Sequence, residues 1–217
     1  IAKTSVGELD EAGIADAAMA TATEGVTDAA VGALGKSGST SAELEDLIGA
    51  VATGGITGLG DIEVTDYDAT KLASYATAVA AGATTGLGNI TLEGYSVDNL
   101  PNMASVITGK ATGALGGIKL DFADSAGLAT MIGSITGGAM GALGNISMSG
   151  FDAAKLTSMA EAITGGATGA LGKITMSGYD SSQLTKMASA ISSAATGALG
   201  KISMTGYDAT KLTEMVG

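Results

Sequence analysis

Residues 169–196 read GALGKITMSGYDSSQLTKMASAISSAAT, and residues 197–215 begin the same pattern again as GALGKISMTGYDATKLTEM. The Leu-Gly pair near the start of both segments also recurs earlier in the chain, at Leu34-Gly35, Leu59-Gly60, Leu87-Gly88, Leu115-Gly116, Leu143-Gly144, Leu171-Gly172 and Leu199-Gly200. The first interval is 25 residues long, and each later interval is 28 residues long. A fixed period in this range is typical of stacked repeats rather than of a single globular core.

Each repeat contains two different apolar patterns. After Leu171-Gly172, Ile174 and Met176 alternate with polar or small residues, which predicts a short strand with one buried face. Asp180 then stands at a position that favours a helix N-cap. The apolar residues that follow, Leu184, Met187 and Ile191, have the spacing of one helix face. The repeat is therefore predicted to be a strand, a cap, a helix and a turn.

A single strand–helix unit cannot bury its own apolar edge, so the units are expected to stack on one another. We predict an α/β fold, a right-handed β/α solenoid of about six 28-residue repeats with a parallel sheet on one face and helices on the other. Residues 57–217 would form this solenoid, with a truncated last repeat. Residues 1–56 are predicted to be an N-terminal helical cap that includes a degenerate first repeat, because Leu44, Leu47 and Val51 keep only the helix spacing.

The spacing Leu171-x-x-Ile174-x-Met176-x-x-Tyr179 resembles the signature of leucine-rich repeats, and the 28-residue length resembles their longer, ribonuclease-inhibitor-like class. The chain departs from that family at the last motif position, where Tyr, Phe or Ala replaces Asn or Cys. The resemblance implies a β/α solenoid with a binding or scaffolding role, often through a concave sheet.

The composition excludes several classes of function. The chain has 22 acids and 10 lysines, and it lacks cysteine, histidine, arginine and tryptophan. A net charge of −12 without a basic cluster argues against binding nucleic acid or an anionic membrane. We also expect no transmembrane segment and no disulfide framework. The usual acid–base and nucleophilic residues, His and Cys, are missing, so we expect no enzyme activity and no cofactor.

The predicted strands would expose a polar sheet face. Its residues are Glu63, Thr91, Glu93, Lys119, Ser147, Thr175 and Ser203. Charge changes along the chain, since residues 1–50 hold 9 acids and 2 lysines while residues 131–217 hold 5 of each. This gradient favours head-to-tail association between copies, and the alternative interpretation is an ordinary solvated surface.

Four carboxylates fall within eight residues, at Asp61, Glu63, Asp66 and Asp68. Calcium prefers several such oxygens, so this segment is a candidate calcium site. The alternative is a plain acidic edge, because the spacing matches no calcium-binding loop.

The last copy of the repeat stops half-way through its predicted helix. Without a polar terminal cap, its apolar side chains would be exposed at the end of the stack. We therefore predict end-to-end self-association through Lys211, Leu212, Met215 and Val216. The first functional hypothesis is an extracellular or cell-surface structural protein, a filament or stalk subunit. The alternative is a binding module, an adhesin or ligand-recognition segment, that uses the sheet face.

Overall fold

The computed structural model describes residues 16–34, 40–59, 69–118, 125–174 and 180–202. Within these ranges the chain forms seven α-helices and no β-strand. The helices are α1 (Asp16–Leu34), α2 (Ser41–Leu59), α3 (Ala69–Leu87), α4 (Leu100–Ala114), α5 (Ser125–Ala142), α6 (Ala153–Leu171) and α7 (Ser181–Leu199). Short 3₁₀ turns at Leu115–Gly117 and Leu143–Asn145 follow α4 and α5. Each 28-residue repeat thus supplies one helix and one connection.

Side-chain caps fix where several helices begin. The Asp152 carboxylate accepts a hydrogen bond from the Lys155 N–H at 3.0 Å, which satisfies one free donor of the first turn of α6. Asp180 and Gln183 form a reciprocal capping box at the start of α7. These two aspartates occupy the predicted N-cap position, and the prediction is confirmed for both.

The helices are arranged in two layers. Helices two repeats apart lie side by side, so that α1, α3, α5 and α7 form a four-helix layer and α2, α4 and α6 form a three-helix layer. Within a layer, Gly82 of α3 approaches Glu24 of α1, and Gly86, one turn later, approaches Asp28. Because both contacts advance in the same direction, neighbouring helices of a layer run parallel.

The core lies between the two layers. Leu156, Met159 and Ile163 of α6 are 0% exposed, and the equivalent residues of α4, two repeats earlier, are also fully buried. The predicted buried helix face is therefore confirmed for α4 and α6, and it is wrong at Leu184 of α7 and Leu47 of α2. In α7, Met187 and Ile191 are buried but Leu184 is 42% exposed, and Leu47 in α2 is 38% exposed.

Glycines allow the helices of one layer to approach at backbone distance. A Cβ added to Gly138 of α5 would lie 2.4 Å from the Thr77 carbonyl oxygen of α3. A Cβ added to Gly166 of α6 would lie 2.4 Å from the Ser105 carbonyl oxygen of α4. Real Cβ atoms cannot approach an oxygen so closely, so these contacts require glycine.

The predicted strands are wrong wherever the structure describes them. Ile90 and Ile146 are buried while Thr91 and Ser147 are exposed, so the predicted alternation is present, but the segments are connections without a strand ladder. Consecutive helices belong to different layers, and helices within a layer pack about 8–10 Å apart. Strands must lie about 4.8 Å apart to pair, so these connections cannot form a sheet.

The leucine-rich-repeat interpretation and the β/α solenoid are therefore both wrong, because the described residues form two layers of helices and no parallel sheet. Positive φ angles occur at glycines of the connections rather than at the ends of α6 and α7. Gly172 and Gly200, at the ends of α6 and α7, have φ values of −68° and −65°, whereas Gly94 and Gly150 in the connections have φ values of 82° and 85°. The predicted domain boundary at residue 56 stays a prediction, and that residue falls within α2.

One stretch among the described residues, Ala126–Asn145, is long and apolar enough to cross a membrane. It has a mean hydropathy of 1.3 and is 67% buried within the protein. Helix α5, which makes up most of this stretch, packs between α3 and α7, which accounts for its apolar character.

Candidate functional site: the ends of the helix layers

Helix α7 exposes a row of hydroxyl-bearing residues at the end of the four-helix layer. The row consists of Ser189, Ser192, Ser193 and Thr196, and all four are exposed. The residues at the Ser192 position in α5 and α3 are Thr136 and Ala80, and both are 0% exposed. We call the row on α7 the hydroxyl face. In α3 and α5 the equivalent surface is covered by the next helix of the layer, whereas on α7 it is exposed.

Helix α1 exposes a row of small residues at the opposite end of the same layer. Gly25, Ala29 and Ala33 are exposed, and we call this row the small-residue face. The equivalent residues of α3 are Ala78, Gly82 and Gly86, and all three are buried. Gly82 and Gly86 contact Glu24 and Asp28 of α1. The small-residue face of α1 is therefore equivalent to the surface of α3 that packs on α1, but on α1 it is exposed.

Among the described residues, the three-helix layer is also open beside α6. A groove of about 510 Å³ lies between α6 and α7, with Ala160, Ala195 and Leu199 among its apolar lining residues and Thr168 among the polar ones. Thr168 is exposed, whereas its equivalent in α4, Thr112, is 0% exposed.

Polar contacts inside the layers show how such faces are held together. The Asn89 amide donates to the Asp28 carboxylate at 2.9 Å, and the Asn102 amide donates to Glu45 at 2.5 Å. Lys155 at the start of α6 forms an ion pair with Asp98 just before α4. The Thr108 hydroxyl of α4 lies 3.1 Å from the Ile163 carbonyl oxygen of α6. A threonine hydroxyl on one helix can therefore bond directly to the backbone of the next helix in its layer.

The two ends differ in charge. Residues 16–59, which include α1 and α2, contain six acids and one lysine. Residues 153–202, which include α6 and α7, contain four lysines and two acids. The opposite net charges of these segments favour an encounter between unlike ends.

The outer face of each layer carries a shallow groove. One groove, of about 600 Å³, is lined by glycines of α4 and α6 together with Lys110 and Lys173. The other, of about 540 Å³, is lined by small residues of α3, α5 and α7 together with Lys201. Their linings are mainly small side chains and backbone, and no polar group is buried in a way that indicates a ligand.

The described part of the chain offers little for chemistry. No group of three or more His, Cys, Asp or Glu residues within it could hold a metal ion. Burial raises the pKa of the Tyr95 hydroxyl, which donates to the Leu87 carbonyl oxygen at 3.2 Å and thereby ties the connection to the end of α3.

The residues predicted as sites lie mostly outside the described ranges. This applies to the calcium candidates Asp61, Glu63, Asp66 and Asp68, and to the self-association candidates Lys211, Leu212, Met215 and Val216. Of the predicted sheet face, Thr91, Glu93 and Ser147 are exposed in connections, and Glu63, Lys119, Thr175 and Ser203 lie outside the described ranges. The hydroxyl and small-residue faces were not predicted from the sequence, because their residue types also occur at buried positions of other repeats.

No family model matches the chain, and no curated protein matches it. A solved structure described as "Computational Design of Self-Assembling Cyclic Protein Homooligomers" is similar at a TM-score of 0.42 and 16% sequence identity. The match covers 99% of this chain and 88% of that chain. At this level the similarity supports no conclusion about function.

Proposed function

We propose that this protein is a non-catalytic structural repeat protein whose copies associate end to end. The observation that carries the proposal is the pair of uncovered faces on α1 and α7, which repeat the two sides of an interface that is buried inside the four-helix layer. A role as a filament or stalk subunit outside the cell or at its surface fits this proposal. The absence of Cys and His from the sequence supports a role without catalysis.

A second argument comes from symmetry. The two faces have different residues, so an end-to-end contact would be heterologous. Heterologous contacts produce rings when the rotation closes and open filaments when it does not. The alternative binding module depended on a sheet face, and the described residues contain no sheet.

Light scattering coupled to size-exclusion chromatography tests the proposal. The mass is expected to rise above that of the 20.8 kDa chain as the protein concentration increases. At a given protein concentration, the mass should be lower in 1 M salt than in 0.05 M salt, because salt screens the attraction between acidic and basic ends. A single species of monomer mass at every concentration and salt level would show that the proposal is wrong.

A further inference from the structure

We infer that the small-residue face of α1 in one copy packs on the hydroxyl face of α7 in a second copy, parallel and in the register that α7 adopts on α5. This inference rests on the proposed function, since it specifies how the ends meet. The partner is thus a second copy of this chain in head-to-tail orientation.

The register follows from contacts that recur inside the four-helix layer. Ala194 of α7 lies beside Gly137 of α5, with 3.6 Å between the Ala194 Cβ and a Cβ placed on Gly137. Ala29 holds in α1 the position that Ala194 holds in α7. Ser193 holds in α7 the position that Gly137 holds in α5. If α1 of a second copy continues the layer, Ala29 will lie beside Ser193.

The two faces are sterically suited to this contact. Gly25, Ala29 and Ala33 present at most one methyl group each, as Ala190 and Ala194 of α7 do where they meet Gly133 and Gly137 of α5. The Ser192 hydroxyl stands where Thr136 of α5 is fully buried, and Thr196 stands where Met140 of α5 is fully buried. By analogy with the bond between Thr108 and Ile163, these hydroxyls can donate to the backbone of the incoming α1.

The charges favour contact between the acidic end of one copy and the basic end of another. Two acidic ends would repel each other, whereas the head-to-tail contact joins the acidic end of one copy to the end of another copy that carries the exposed Lys186 and Lys201. The observations therefore favour α1 on α7 over α1 on α1.

Cysteine cross-linking measures the register directly, because the natural chain has no cysteine. The Ala29→Cys and Ser193→Cys double variant should form disulfide-linked oligomers with oxidised glutathione, since a disulfide needs Cβ atoms about 3.5–4.5 Å apart. The Gly137→Cys and Ala194→Cys double variant is the matched internal control, and it should form an intramolecular disulfide. Pairing Ala29→Cys with Ser182→Cys gives the register control, because Ser182 is exposed on the same side of α7 but about 16 Å away along the helix.

Complementation tests the head-to-tail orientation. Ala29→Lys blocks one face and Ser193→Lys blocks the other, so each variant alone should be monomeric with unchanged helicity by circular dichroism. In a mixture, the intact small-residue face of the Ser193→Lys variant can still bind the intact hydroxyl face of the Ala29→Lys variant. The mixture should therefore give dimers of twice the monomer mass and nothing larger.

The outcomes separate this inference from the proposed function. If the natural chain stays monomeric, the proposed function is wrong and the inference is wrong with it. If the natural chain assembles but both lysine variants still assemble, or if the Ala29–Ser193 pair cross-links no better than the Ala29–Ser182 pair, only the inferred junction is wrong.

Discussion

At the scale of single residues, Glu43 shows how one carboxylate fixes the start of a helix. It accepts hydrogen bonds from the Thr40 N–H and the Thr40 hydroxyl, both at 2.8 Å, while its own N–H donates to the Thr40 hydroxyl at 3.3 Å. The two bonds to the carboxylate favour its charged form, the backbone bond most, and lower the pKa of Glu43 from its usual 4.5.

The expected pH dependence has a definite sign. Because the pKa of Glu43 is lower in the folded chain, the ionised carboxylate stabilises α2 fully above pH 4.5, and this contribution is lost as the pH falls through the lowered pKa. A titration of the Glu43 carboxyl carbon by NMR should give a midpoint below 4.5. Thr40→Ala removes the hydroxyl and keeps the backbone N–H, so it should raise that midpoint only in part. An unchanged midpoint in this variant would show that the Thr40 hydroxyl does not contribute to the lowered pKa.

Two threonines on α4 are equally buried but differ in their hydrogen bonds. Thr108 and Thr112 are both 0% exposed, but the Thr108 hydroxyl lies near the carbonyl oxygens of Ala104 and Ile163, whereas the Thr112 hydroxyl has no partner. A buried hydroxyl without a partner costs free energy, and a bonded one contributes about 1 kcal/mol.

We therefore expect opposite effects from the same substitution at these sites. Thr108→Val should lower the free energy of unfolding by about 1 kcal/mol, and Thr112→Val should leave it unchanged or raise it by up to about 1 kcal/mol. Urea unfolding followed by circular dichroism measures both values. Equal losses in the two variants would show that the Thr112 hydroxyl has a partner in solution.

At the scale of helices, adjacent glycines of α6 have different roles. A Cβ on Gly166 would lie 2.4 Å from the Ser105 carbonyl oxygen and 2.6 Å from the Thr108 hydroxyl of α4, while a Cβ on Gly165 would meet nothing within 4 Å. Gly166 therefore permits the close packing of α6 on α4, and Gly165 only lowers helix propensity.

Alanine substitution distinguishes the two roles. Gly165→Ala should raise the free energy of unfolding by about 0.5–1 kcal/mol, because alanine favours a helix over glycine. Gly166→Ala should lower it by about 1–3 kcal/mol, because the added methyl group forces the two backbones apart. Thermal unfolding of both variants measures the difference, and a stabilised Gly166→Ala would contradict the close approach of α4 and α6.

The elements also show what the sequence could and could not predict. The spacing of Leu156, Met159 and Ile163, with Asp152 before them, identifies α6 correctly because a helix is specified by local periodicity and its cap. The alternation of Ile146 and Met148 marks which side chains turn inward, but it does not reveal whether a second strand lies within pairing distance. That distance depends on the division of the helices into two layers, which a 28-residue period does not encode.

At the scale of the whole molecule, position in the stack decides what a residue contributes. Each described helix packs mainly on the helices two repeats away, so the described helices form a quasi-one-dimensional array. Thr112 and Thr168 show this effect, since both are threonines in equivalent places and only Thr168, near the end of the stack, is exposed. The residues at the ends could not be separated from the core ones by type alone.

Position in the stack also predicts unequal effects of one substitution at equivalent places in two repeats. Leu156 and Leu184 are equivalent residues of α6 and α7, but Leu156 is 0% exposed and Leu184 is 42% exposed. Leu156→Ala should lower the free energy of unfolding by about 2–5 kcal/mol, because it leaves a cavity between the layers. Leu184→Ala should cost less than about 1 kcal/mol, because its side chain already contacts water.

Chemical denaturation of dilute, monomeric protein measures both values, and unchanged helicity is the control for a native fold. Comparable losses in Leu156→Ala and Leu184→Ala would show that Leu184 is covered in solution. A small loss for Leu184→Ala in dilute protein that grows with protein concentration would instead show that a second copy covers this leucine. The concentration dependence of the loss in unfolding free energy for Leu184→Ala therefore shows whether assembly of the molecule covers this side chain.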